Sequence, residues 1–145
     1  MLSKADDPYD TFDFLMDLSD RYNARSYFFF IPDQNSLRWD GNYNLKSKKI
    51  GKLLQKICNR GHHIGAHFSY FSYNDPIRIK SEYEKLARKC QNEGVQSSFT
   101  SCTRMHYLRW TSWSTAKALA SAGVSIDTTM GYAEKLSFRS GTCHP

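Results

Sequence analysis

Three histidines fall within six positions in the segment Arg60-Gly61-His62-His63-Ile64-Gly65-Ala66-His67-Phe68-Ser69-Tyr70. A neutral imidazole binds zinc and other divalent ions, and it exchanges a proton near neutral pH. In a strand over residues 64–67, side chains alternate between faces. His63, Gly65 and His67 then share one face, and Ile64 and Ala66 share the other. His67 stands at the C-terminal end of that strand, where parallel α/β proteins place ligands and catalytic groups. His67 is therefore the candidate metal ligand. A hydrogen-bonded core histidine is the plain alternative. His62 is expected at the surface or behind the ligand, and His63 either beside His67 or packed at the strand start.

Three further clusters carry chemistry. Arg104-Met105-His106-Tyr107 follows a second expected strand. Arg104 can hold a carboxylate through a bidentate pair. His106 can ligate a metal or act as a general acid or base, and Tyr107 can offer a hydroxyl or a ring to a sugar. The plain alternative is an aromatic loop. Asp127 ends a later strand and Arg139 leads into a glycine turn. The two can tune a histidine from behind, or form a structural ion pair. Ser69, Tyr70, Ser72 and Tyr73 put hydroxyls and rings on one loop, which suits carbohydrate and also suits a solvated turn. The catalytic candidates are thus Arg104, His106 and Asp127. The substrate-binding candidates are Ser69, Tyr70, Tyr107 and Arg139.

These residues need elements to position them. Residues 10–22 read as an amphipathic helix, with Phe12, Leu15, Met16 and Leu18 at helical spacing and Asp10 as its cap. Residues 25–31 form a strand whose unbroken aromatic run predicts burial on both faces. A polar loop spans 33–44. A second helix covers 47–59, with Ile50, Leu53, Leu54 and Ile57 on one stripe. After the histidine strand and a loop over 68–75, a third helix covers 76–92. Pro76 suits its first turn, and Ile79, Tyr83, Leu86, Ala87 and Cys90 face inward. Strands are expected over 98–103, 124–127 and 136–139, with a fourth helix from Ser112 or Ser114 to near Gly123. This alternation predicts an α/β fold with a parallel sheet and right-handed crossovers. Residues 1–145 read as one domain that opens on a helix and stops in mid-pattern, as in a piece of a longer sheet or barrel.

Composition bounds the function classes. The chain has 145 residues, 40% hydrophobic and 14% aromatic, enough for a core. The net charge is +6, but the basic residues are scattered and no nucleic-acid motif accompanies them, so nucleic acid is not an expected partner. The longest apolar run, residues 27–31, falls far short of the roughly 20 residues of a membrane span. Residues 1–7 have no apolar signal region, so a cytoplasmic protein is expected. Cys58, Cys90, Cys102 and Cys143 make no C-x-x-C pair and read as reduced thiols.

Taken in series, the motifs resemble a known family. Gly61-His62-His63-Ile64-Gly65-Ala66-His67 is similar to the G-H-E-I-G-x-H segment of the polysaccharide deacetylases (NodB homology, carbohydrate esterase family four). His67-Phe68-Ser69-Tyr70 resembles the H-P-S-Y form of one branch. Arg104-Met105-His106-Tyr107-Leu108-Arg109-Trp110 resembles that branch's R-x-H-Y-L-R-W. Asp127-Thr128-Thr129-Met130-Gly131-Tyr132 and Phe138-Arg139-Ser140-Gly141-Thr142 resemble its D-x-T-x-G-Y and F-R-x-G-T segments. The matches cover nearly the whole chain in the family's order.

The resemblance implies a distorted (β/α) barrel and metal-dependent removal of acetyl groups from an acetylated oligo- or polysaccharide. In the family one Asp and two His hold the metal, a second Asp activates water and a His protonates the leaving group. A divalent ion, zinc by expectation, lowers the pKa of that water. His67 matches one ligand. The chain departs elsewhere. Asp6 and Asp7 sit in no strand-like context. The usual second ligand position is Phe71, with His106 as a substitute, and His63 replaces the family's Glu. By the resemblance, the strand carrying the acid histidine is expected beyond Pro145. The expectation is a partial barrel, truncated at both ends and weak or inactive as a deacetylase, that self-associates through open sheet edges. Two other functions fit the residues. One is a non-catalytic glycan-binding module using the 68–73 loop, Trp110 and Trp113. The other is a related hydrolase of non-peptide C–N bonds.

Overall fold

The computed structural model describes residues 9–33, 36, 38–132, 134–137 and 139–141. Among these residues four helices alternate with four strands: α1 Phe12–Arg21, β1 Tyr27–Phe30, α2 Lys48–Asn59, β2 His63–Phe68, α3 Pro76–Asn92, β3 Phe99–Met105, α4 Ser114–Ser121 and β4 Ile126–Asp127. A short 3-10 turn, His106–Leu108, follows β3. All strand pairs are parallel and the sheet order is β1-β2-β3-β4. The α/β fold with a parallel sheet is therefore present. Consecutive strands are also neighbours, and α2, α3 and α4 pack against the same set of strand side chains on one face of the sheet.

Burial follows from that one-sided arrangement. Phe28, Phe30, Ile64, Ala66, Phe68 and Met105 point into a cluster with Met16, Leu54, Ile57, Ile79, Leu86 and Leu119 from the helices. The opposite face carries Tyr27, Phe29, His63, Gly65, His67 and Arg104. Tyr27 is 42% exposed. The aromatic run of β1 is thus buried on one face, not on both, because among the described residues the helices cover only one.

Helix ends follow their sequence signals. The Ser47 hydroxyl accepts from the Ile50 amide at 3.3 Å to cap α2. Asp75 accepts from the Arg78 amide at 3.0 Å to cap α3, with Pro76 in its first turn. α1 departs from expectation. It starts at Phe12 with no side-chain cap, so Asp10 does not cap it. Only Met16 of its residues is fully buried, and Leu15 and Leu18 are 42% and 40% exposed. Asp13, Asp17 and Asp20 face α2 instead, bonded to Lys56 at 2.8 Å and to Arg60 at 2.7 and 2.6 Å. The expected strand over 136–139 is not formed among the described residues: Leu136 is fully exposed in a bend and Arg139 lies in a turn. Asp6, Asp7, Phe138, Thr142 and Cys143 lie outside the described residues. Cys58, Cys90 and Cys102 are free thiols. Among the described residues no helix is long and apolar enough to cross a membrane.

Gly65 lets β2 and β3 approach. A Cβ there would stand 2.5 Å from the Cys102 carbonyl oxygen and 2.7 Å from the Phe29 ring, beside the register shift between Ile64 and Ala66. Backbone cannot yield as a flexible side chain can. Gly65→Ala is expected to cost about 2 kcal/mol, read as a lower urea midpoint with an unchanged slope. An unchanged midpoint would count against this close packing.

Candidate functional site

The site forms where β2 and β3 end. His67 and Arg104 are register partners on the face away from the helices. His106, two residues after Arg104, continues the same face over His67, and the chain then turns sharply, with Tyr107 and Leu108 at φ 56° and 53°. His67 Nε2 and His106 Nδ1 lie 2.9 Å apart. The other His106 nitrogen, Nε2, is 2.6 Å from the carbonyl oxygen of Trp39 in the β1–α2 loop. A carbonyl only accepts, so His106 Nε2 carries the hydrogen. In a neutral ring Nδ1 is then an acceptor, and His67 donates to it through Nε2–H.

Aromatic rings extend this pair into a shelf. Trp39 stacks on Tyr70 at 4.9 Å and 13°. Tyr107 meets both edge-on, at 5.9 and 5.4 Å. The Arg109 guanidinium lies 4.0 Å from the Tyr70 ring and 3.9 Å from the Tyr73 ring, and it donates to the Tyr70 carbonyl at 3.0 Å. Tyr107 is 60% exposed, so the shelf opens to solvent. Burial first, then electrostatic interaction with His106 and Arg104, pulls the His67 pKa from 6.5 down to about 4.

No family model, curated protein or solved structure matches the chain.

The metal expectation can be tested on geometry. Zinc sites take three or four protein ligands, and two of them at 2.0–2.1 Å stand roughly 3.4 Å apart around a tetrahedral ion. His67 and His106 sit at hydrogen-bond separation and bond each other. Asp40, the carboxylate whose charge reaches His67, already accepts the backbone amides of Ser36 and Tyr70. Among the described residues no group of three or more His, Cys, Asp or Glu converges. The described residues do not fit the metal site expected at His67.

The other candidates divide. Tyr70 and Tyr107 lie in the shelf beside His106. Arg104 shares the His67 face and donates to the Thr128 carbonyl at 2.9 Å rather than to a carboxylate. Asp127 is register partner of Thr103, so its side chain is on the helix-covered face, opposite His67. Its carboxylate accepts from the Thr129 amide and hydroxyl, both at 2.9 Å, and from the Thr103 hydroxyl at 3.2 Å. Burial raises its pKa against those bonds. Asp127 fastens the segment after β4 and does not join the histidines. Arg139 donates to the Leu108 carbonyl at 2.7 Å, pinning the turn, and forms no pair with Asp127. Ser69 is buried with its hydroxyl on Glu82 at 2.5 Å, so it anchors its loop and is not on the exposed face. His62 is fully buried, not at the surface, and accepts from the Ser26 amide at 3.3 Å. His63 packs on Tyr27 at 4.7 Å, toward the start of the strand.

Four residues that build the site carried no role in the sequence: Trp39, Asp40, Glu82 and Arg109. Glu82 had a signal, because it stands three residues after Ile79 and four before Leu86 on the inward stripe of α3. Trp39 and Asp40 lie in an aperiodic loop with no such signal.

Proposed function

We propose that the chain is the saccharide-binding part of a polysaccharide deacetylase-type hydrolase, folded as a section of a (β/α) barrel. The aromatic and histidine shelf at the C-terminal ends of the strands carries this reading. A pyranose has an apolar C–H face and a polar rim. The largely exposed ring of Tyr107, packed against the Trp39–Tyr70 stack, suits the face, and its hydroxyl suits the rim. Consecutive neighbouring strands with helices on one side also match an arc of a singly wound barrel. His106 and His67 form a relay that can hold or pass a proton at the rim of the shelf.

A non-catalytic glycan-binding module is the second reading. It is favoured by the two histidines bonding each other and by the Asp40 carboxylate being taken up by backbone amides. Both readings predict binding of an acetylated saccharide by this chain.

Titration of N-acetylated chito-oligosaccharides by calorimetry tests the proposal. Binding is expected to persist in EDTA. Trp39→Ala should weaken it about tenfold, roughly 1.4 kcal/mol, through loss of the ring that Tyr107 and Tyr70 pack against. Absence of any binding by the wild-type chain would sink both readings. Acetate release from the same ligands separates them.

A further inference from the structure

We propose that Asp40 is the positioning residue of this site, clamping two loops so that Trp39 stacks on Tyr70 and holds the ring N–H of His106. Asp40 is 8% exposed, in the loop between β1 and α2. Its two carboxylate oxygens serve different loops. Oδ2 accepts from the Ser36 amide at 2.9 Å, closing its own turn. Oδ1 accepts from the Tyr70 amide at 2.8 Å, in the loop after β2. The Asp40 amide also donates to the Ser36 carbonyl at 2.9 Å. An ionised carboxylate only accepts, and bonds from amides to it are shorter and stronger than neutral ones. The two loops therefore meet at one side chain.

The neighbouring residue delivers the consequence. Trp39 precedes Asp40, and its ring lies on Tyr70, the residue whose amide Asp40 holds. Its carbonyl accepts the His106 Nε2 hydrogen at 2.6 Å. That bond fixes which His106 nitrogen faces His67 as an acceptor. The clamp thus sets both the shelf and the direction of the histidine hydrogen bond.

Nuclear magnetic resonance tests this on the whole chain. In the wild type, the His106 ring N–H is expected as an observable, slowly exchanging signal, and the Ser36 and Tyr70 amides should exchange slowly with it. Asp40→Asn keeps the shape but turns an NH2 donor toward a backbone N–H. It should abolish the His106 ring signal and shift the Trp39 indole, while the core amides of β2 and α3 stay in place. Asp40→Ala should do the same. A His106 ring signal unchanged in either folded variant overturns the assignment. So do Ser36 and Tyr70 amides that exchange at open-loop rates in the wild type, a measurement that needs no variant. The effect on sugar rests on the saccharide reading above: Asp40→Asn should weaken binding about as much as Trp39→Ala. If the wild type binds no sugar, that reading fails and the ring signal still decides the role of Asp40.

Discussion

Glu82→Ala is expected to lower the unfolding free energy by about 4 kcal/mol. Glu82 sits on the inward stripe of α3 and is fully buried. Its carboxylate accepts from the Ser69 amide at 2.9 Å, the Ser69 hydroxyl at 2.5 Å and the Ser72 hydroxyl at 2.7 Å. Alanine leaves three buried donors without that acceptor, at about 1–3 kcal/mol each, offset in part because a buried charge is also removed. Glu82→Gln keeps an acceptor for the hydroxyls but sets an NH2 against the Ser69 amide, so about half the loss should remain. Urea unfolding at neutral pH measures both. An alanine variant within about 1 kcal/mol of wild type would refute the role of this network.

The same network has a pH signature. Burial pushes the Glu82 pKa up from 4.5, against the bonds from Ser69 and Ser72 that pull it down. The folded chain then holds this proton more tightly than the unfolded chain does. The contribution is full below about 4.5 and is lost as pH rises through the higher folded value. Glu82→Gln should remove that decline.

Much of the fold was legible, and the failures have physical causes. α2 and α3 follow from strong apolar periodicity with Ser47, Asp75 and Pro76 at their starts. α1 was legible as a helix but not in its orientation. Phe12, Phe14, Leu15, Met16 and Leu18 together leave apolar groups on several sides, and pairing of Asp13, Asp17 and Asp20 with Lys56 and Arg60 selects which side faces the core. Lys56 and Arg60 lie some forty residues away, beyond any local pattern. His67 was placed correctly at a strand end by alternation alone. Asp127 was not, because a one-residue change of register moves a side chain to the other face, and the pairing of β4 with β3 is not written in either strand. Ser69 reads as an exposed loop hydroxyl until a buried acid appears beneath it.

Stability is expected to fall by about 3 kcal/mol as pH drops from 6.5 to 4, through His67 alone. Its pKa is about 4 in the folded chain against 6.5 for an ordinary histidine, chiefly because burial disfavours the imidazolium, with electrostatic interaction with His106 and Arg104 acting in the same direction. Within that window the unfolded chain binds this proton and the folded chain does not. The contribution is therefore complete above 6.5, declines as pH falls, and changes no further below about 4. His67→Gln isolates it. The Gln amide nitrogen can still donate to His106 Nδ1 but cannot become charged. Glu82 acts in the opposite sense over an overlapping range, so the wild-type curve alone blends the two. The difference between wild type and His67→Gln, measured by urea unfolding at several pH values, should shrink steadily through this window. A constant difference would show that His67 is not held neutral by the fold. If it is held neutral, His67 itself changes no charge between pH 6.5 and about 4. A pH dependence of saccharide binding above pH 4 must then come from another group.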